Sequence, residues 1–225
     1  MKTPFLHTVV TIVRKDLRAE LRSRELVSSM GLFALLSILI FSFALELDRV
    51  AREEAVSGVL WVTVVFASIL GLNRSLAMER DQGNLEAMLV APIDRAGILF
   101  GKLVGNLIFV LLVAAVMLPI MTVLYNKTLF QPWLLVILLL GILGFSTVGT
   151  LLATMTVQTR SRESLLPIVM LPIALPVILA AVRGTTAILT GAREAEWMIW
   201  LQILVAVDGI YLLLCYLLFE YIIED

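Results

Sequence analysis

Long apolar runs alternate with short polar segments along the whole chain. A helix crossing a hydrocarbon core of about 30 Å needs about 20 mostly apolar residues, because each residue rises about 1.5 Å. Six runs approach or exceed that length, at residues 26–45, 57–72, 98–124, 130–157, 165–182 and 197–219, and the second and fifth are the shortest. The pattern predicts an all-α integral membrane protein with six transmembrane helices.

Ahead of the first run, Leu6, Val9, Val10, Val13, Leu17 and Leu21 recur at helical spacing, with Arg14, Lys15, Arg18 and Arg22 elsewhere on the wheel. Residues 1–25 therefore read as an amphipathic interfacial helix in the headgroup layer. Its basic face would be drawn to an anionic inner leaflet by about 1 kcal/mol per residue. A solvated N-terminal helix without membrane contact is the other reading of the same pattern.

Between the second and third runs, residues 79–92 form a capped polar insert. Gly83 permits a tight turn and Asn84 is a good N-cap. Leu85, Met88 and Leu89 then share one face, Glu86 suits the positive end of the helix dipole, and Pro92 discourages continuation past Ala91. About two turns of helix do not persist alone in water, so packing must hold them. Either a groove on a soluble partner or the chain's own spans would supply it.

Composition agrees with the runs. The chain is 60% hydrophobic and 16% charged, against roughly 45–50% and about 25% in soluble domains. Its 225 residues leave no room for a soluble catalytic domain, so residues 1–225 read as a single membrane domain. The net charge of -1 decides little, whereas the positions of Lys and Arg decide orientation. With the N-terminus inside, inner segments hold Lys2, Arg14, Lys15, Arg18, Arg22, Arg24, Arg74, Arg80, Arg95, Lys102, Arg160 and Arg162. Outer loops hold Arg49, Arg52, Lys127, Arg183 and Arg193. Both termini and the 79–92 segment are then cytoplasmic. No basic stripe for nucleic acid occurs, and the first run lacks the small-residue cleavage site of a signal peptide.

Few residues offer chemistry at membrane depth. Cys215 is the only cysteine, which excludes an internal disulfide or thiol pair, and His7 is the only histidine, which excludes a His pair for heme iron or zinc. Met117, Met121, Met155 and Met170 would fill a core like most membrane methionines. Asp208 is the only acid well inside a run. A carboxylate there costs roughly 2.5–3.5 kcal/mol on insertion scales, so it must face the bundle or a wet cavity. Interhelical hydrogen bonding, a proton-sensitive latch and a contact along a substrate path are its candidate roles.

Pro167, Pro172 and Pro176 each remove an amide donor from the fifth run. They predict a kink or local unwinding, serving as a hinge, as part of a polar path, or as a static bend. Gly141, Gly144, Ser146, Thr147 and Gly149 allow close helix approach, within the subunit or at a dimer face. An intramembrane enzyme would need a second titratable group beside Asp208, and none is evident. No Gly-x-x-x-x-Gly-Lys-Ser/Thr sequence occurs, so ATP hydrolysis by this chain is not expected.

Glu79, Gly83, Leu85, Glu86, Leu89 and Pro92 resemble the cytoplasmic loop of ABC-2-type transporter membrane subunits. Gly58 to Val62, Leu171 to Pro176, Asp208 and Phe219 to Tyr221 extend the resemblance to the heme exporter protein B (CcmB) family over essentially the whole chain. Asn84 stands where that family usually has Ser or Thr, and all three are N-caps. The resemblance implies a permease subunit of cytochrome c maturation in the bacterial inner membrane, with an ABC-2/type V exporter-like fold. Glu79, Gly83, Asn84, Leu85, Glu86, Met88, Leu89 and Pro92 would dock a separate CcmA-type ATPase that binds the ATP. Further implied partners are CcmC- and CcmD-type membrane proteins and, indirectly, a CcmE-type heme chaperone. Heme is the implied substrate rather than a resident cofactor. A dimeric motor would need two docking loops, hence two copies of this subunit or one copy with a relative. A non-transporting membrane scaffold of the heme-handling complex, or the permease of another ABC-2-type exporter, would use the same loop.

Overall fold

The computed structural model of the chain describes residues 4–45, 49–81, 95–155 and 162–222. These form seven helices: α1 Phe5–Ser23, α2 Glu25–Ala44, α3 Arg49–Asp81, α4 Arg95–Tyr125, α5 Pro132–Met155, α6 Arg162–Leu189 and α7 Glu194–Ile222. Among the described residues, α2 to α7 are the six helices long and apolar enough to cross a membrane. The chain is an all-α, multi-pass membrane protein.

Two helices extend well past their apolar runs. α3 continues through charged turns to Asp81, and α6 runs on past the exposed Arg183 to Leu189. The polar threonines of that last stretch find partners inside the bundle. Trp61 Nε1 donates to Thr185 Oγ1 at 3.0 Å, and the Ser57 and Thr186 hydroxyls are 2.6 Å apart. Trp61 also meets α5 with the outer edge of its ring, which a Cβ added at Gly141 would overlap. One indole thus pins α3, α5 and α6 together, which a helix lined with larger residues would prevent.

α3 and α5 form the centre of the bundle, with 72% and 67% of their apolar stretches buried, whereas α7 has only 17% buried and is peripheral. Met30, Ile38, Leu60, Met121 and Ile137 belong to the larger core cluster, and Phe145, Leu166 and Met170 to a smaller one. Trp133 and Trp197 pair at a centroid distance of 5.0 Å, at the starts of α5 and α7. That is the position of the amphipathic aromatic belt at a membrane surface.

At the other end of the bundle, α1 turns sharply into α2. Arg24 adopts the left-handed conformation with φ 56, and its N–H returns to the Glu20 carbonyl at 2.7 Å. The Glu20 carboxylate then accepts from Leu26 N at 3.3 Å and Val27 N at 2.8 Å. These are amides that the start of a helix leaves unpaired. A side chain of α1 therefore caps α2, which Arg24 at the N-cap position does not do.

α1 docks on α4 through a glycine track. Gly97, Gly101 and Gly105 stand one turn apart and face Thr8, Ile12 and Asp16, also one turn apart. Lys102 Nζ lies 2.8 Å from Asp16 Oδ2, with the two side chains 9% and 13% exposed. The docked face of α1 is thus Thr8, Ile12, Asp16 and Glu20, while Leu6, Val10 and Leu21 stay exposed. Of the other apolar positions that periodicity singles out, Val9, Val13 and Leu17 are half-buried, and Leu17 packs against the larger core cluster.

Candidate functional site

Asp208 lies on a peripheral helix yet is only 3% exposed, so its carboxyl is turned into the bundle. It rests on α5 where there is no side chain in the way: a Cβ at Gly144 would overlap Asp208 Oδ1. The same point is 3.0 Å from Val177 Cγ2 of α6. Three helices therefore meet at one carboxyl. Neither oxygen has a hydrogen-bond partner.

The polar groups around it are engaged elsewhere. Tyr211 Oη, about one turn along α7, donates to the Ile173 carbonyl of α6 at 2.5 Å. Thr147 Oγ1, one turn along α5 from Gly144, donates to the Leu143 carbonyl at 2.8 Å. Asn106 Nδ2 of α4 donates to Ser146 Oγ at 3.3 Å, and the Cys215 thiol faces the Thr147 carbonyl at 4.0 Å.

The three prolines do not join this junction. α6 is continuous from Arg162 to Leu189 through Pro167, Pro172 and Pro176, so the local unwinding that three missing amides suggest does not occur. Pro167 is half-buried, and Pro172 and Pro176 are exposed on the outside of the bundle. The carbonyl that Pro176 leaves without an amide is that of Pro172, one residue before the Ile173 carbonyl that accepts from Tyr211.

Gly141, Gly144 and Gly149 receive Trp61, Asp208 with Val177, and Leu72 with Met170, so they serve packing within the subunit. Met117, Met121 and Met170 are core residues, and His7 is exposed on α1. Among the described residues, no group of three or more His, Cys, Asp or Glu could hold a metal ion.

Of the expected docking residues, Glu79 falls in the last turn of α3, and its side chain is outside the described residues. Gly83, Asn84, Leu85, Glu86, Met88, Leu89 and Pro92 are outside them altogether. The two stems of that segment are described. α3 is tied to the start of α2 by Arg74 and Glu25 at 2.8 Å, and the start of α4 is tied to α1 by the glycine track.

Sequence reasoning missed three features: the Glu20 cap, the Asp16–Lys102 pair and the Trp61–Thr185 bond. Only the regular spacing of Gly97, Gly101 and Gly105 would have signalled one of them in advance.

Six membrane-crossing helices around a glycine-packed centre, preceded by a surface helix, define a polytopic α-helical membrane protein. The chain belongs to the CcmB protein family, whose sequence pattern matches residues 7–220. It is 27% identical over 194 residues to the heme exporter protein B of Paracoccus denitrificans, spanning 86% of this chain and 88% of that protein. The heme exporter protein B of Rhodobacter capsulatus is 28% identical over 75% of this chain and 78% of its own length. That of Pseudomonas aeruginosa is 26% identical over 82% and 83%.

Proposed function

We propose that the chain is the membrane permease subunit of an ABC transporter complex for cytochrome c maturation. A separate CcmA-type ATPase supplies the hydrolysis, with CcmC- and CcmD-type membrane proteins as neighbours and a CcmE-type chaperone as the indirect recipient of its work. Heme is the substrate whose export or release from the chaperone is driven. The observation that carries this reading is the family match over residues 7–220, together with relatives that are themselves named heme exporter protein B. The lack of a phosphate-binding sequence supports a motor on another chain.

Orientation with both termini in the cytoplasm of a bacterial inner membrane is supported by the Lys and Arg distribution. It places the 79–92 segment where a soluble ATPase can reach it. There the apolar face of Leu85, Met88 and Leu89 enters a groove on the motor, with Glu86 at its rim and Gly83, Asn84 and Pro92 bounding the short helix. Glu79, at the end of α3, leads into it. The test is co-purification. Glu86→Arg, or Leu85 and Leu89 both changed to Asp, is expected to leave membrane insertion intact and detach the ATPase, and normal co-purification with these variants would remove the docking reading.

A further inference from the structure

Asp208 sits in an environment that suits one of its two protonation states. Both carboxyl oxygens are without partners, and the side chain is pressed against α5 at Gly144, a point that Val177 of α6 also approaches. Among the described residues, no cation pairs with it from the elements packed around it. α5 carries no charged residue along its length. On α6, Arg183 is exposed and about 9 Å further along the axis than Val177, at about 1.5 Å per residue. On α4, Lys102 is paired with Asp16. On α7 itself the nearest titratable group is Tyr211, whose hydroxyl is committed to Ile173. An isolated carboxylate in such a place is far more costly than a neutral acid, and the group neutralises rather than remain charged.

The geometry points to Asp208 as a proton-binding site at the junction of α5, α6 and α7, occupied while the helices are closed and emptied when α7 separates from Gly144. On closure the carboxylate takes one proton from water and becomes the acid. On opening, water reaches the junction, the O–H bond breaks and the proton returns to solvent. Gly144 belongs to the same site, since a Cβ there would take the place of the carboxyl. A conformational cycle of this subunit, whatever its cargo, then takes up and releases one proton per copy.

Infrared spectroscopy of the full-length chain, co-purified with its partners and reconstituted in lipid nanodiscs, tests this. In neutral buffer the wild type is expected to show the carbonyl stretch of one protonated carboxylic acid, shifted in heavy water and lost entirely in Asp208→Asn. Labelling the wild type with aspartate carrying heavy carbon at the side-chain carboxyl assigns the band even where that variant does not assemble. Only carboxylate bands from Asp208 in the resting protein would overturn the site. Addition of ATP should then reduce the acid band transiently, and a band that stays constant through turnover would overturn its link to helix separation.

Discussion

The glycine track beneath α1 gives a graded prediction from a single dimension. A Cβ at Gly101 would lie 2.9 Å from Ile12 Cβ and 3.0 Å from Ile12 Cγ2, and one at Gly97 would lie 2.9 Å from Thr8 Cβ. At Gly105 the nearest atom is Asp16 Oδ2 at 3.5 Å, an ordinary contact. Carbon atoms prefer roughly 3.5–4.0 Å. Gly101→Ala must therefore lift α1 by about 0.6–1 Å, because the obstructing atoms are the branched stem of Ile12 rather than a flexible tip. Overpacking of this kind costs about 1–3 kcal/mol. Alanine returns up to about 1 kcal/mol at either position through its higher helix propensity. Gly101→Ala should then be more costly than Gly105→Ala by about 1–3 kcal/mol. Hydrogen exchange of the α1 amides in nanodiscs reads the undocking of α1 directly. Exchange should be faster in Gly101→Ala than in Gly105→Ala by roughly 5- to 150-fold, at tenfold per 1.4 kcal/mol. Equal exchange in the two variants would refute the steric account of how α1 is held.

Other substitutions probe separate parts of the fold. Glu20→Ala removes the acceptor for Leu26 N and Val27 N, so the start of α2 should lose about 0.5–2 kcal/mol, measurable as faster exchange confined to the first turn of α2. Trp61→Phe deletes the bond to Thr185 together with the outer indole atoms that meet Gly141. Thermal unfolding in nanodiscs should show a loss larger than the roughly 0.6–1.7 kcal/mol of such a bond between membrane helices, because the lost ring atoms leave a gap. Asp208→Leu removes an unpartnered polar group and should keep or raise thermal stability. Asp208→Asn keeps the shape of the side chain but cannot take up or release a proton, so both variants should lower cytochrome c maturation, and wild-type maturation by Asp208→Asn would show that proton exchange at this side chain is not essential.

What could be read from the chain, and what could not, follows from how far apart the interacting residues are. Six apolar helices are visible in local composition, because each must by itself satisfy its backbone in lipid. Their ends are less visible. Arg183 and the Thr185–Thr186 pair lower the apolar count at the end of α6, yet the helix continues because Trp61 and Ser57 satisfy those threonines. The burial of Asp208 follows from its position in a span, whereas its contact with Gly144 depends on two helices more than sixty residues apart in order. α1 shows the limit most clearly. Its apolar positions divide between exposed Leu6, Val10 and Leu21 and half-buried Val9, Val13 and Leu17, and its docked stripe contains Asp16 and Glu20, whose partners are Lys102 and the amides of the next helix. The three prolines leave α6 helical from end to end, so of the expected outcomes local unwinding is the one that does not occur.

The Asp16–Lys102 pair also constrains how the protein is made. Its members are separated by 86 residues, so at about 5–20 residues per second of synthesis roughly 4–17 s pass between the appearance of one charge and the other. During that interval α1 has left the ribosome with an acidic residue and a row of hydrophobic ones and no α4 to receive them. Leu6, Val10 and Leu21 stay uncovered in the finished protein as well. Docking of α1 on the glycine track is thus a late event of biogenesis that depends on α4 having been made.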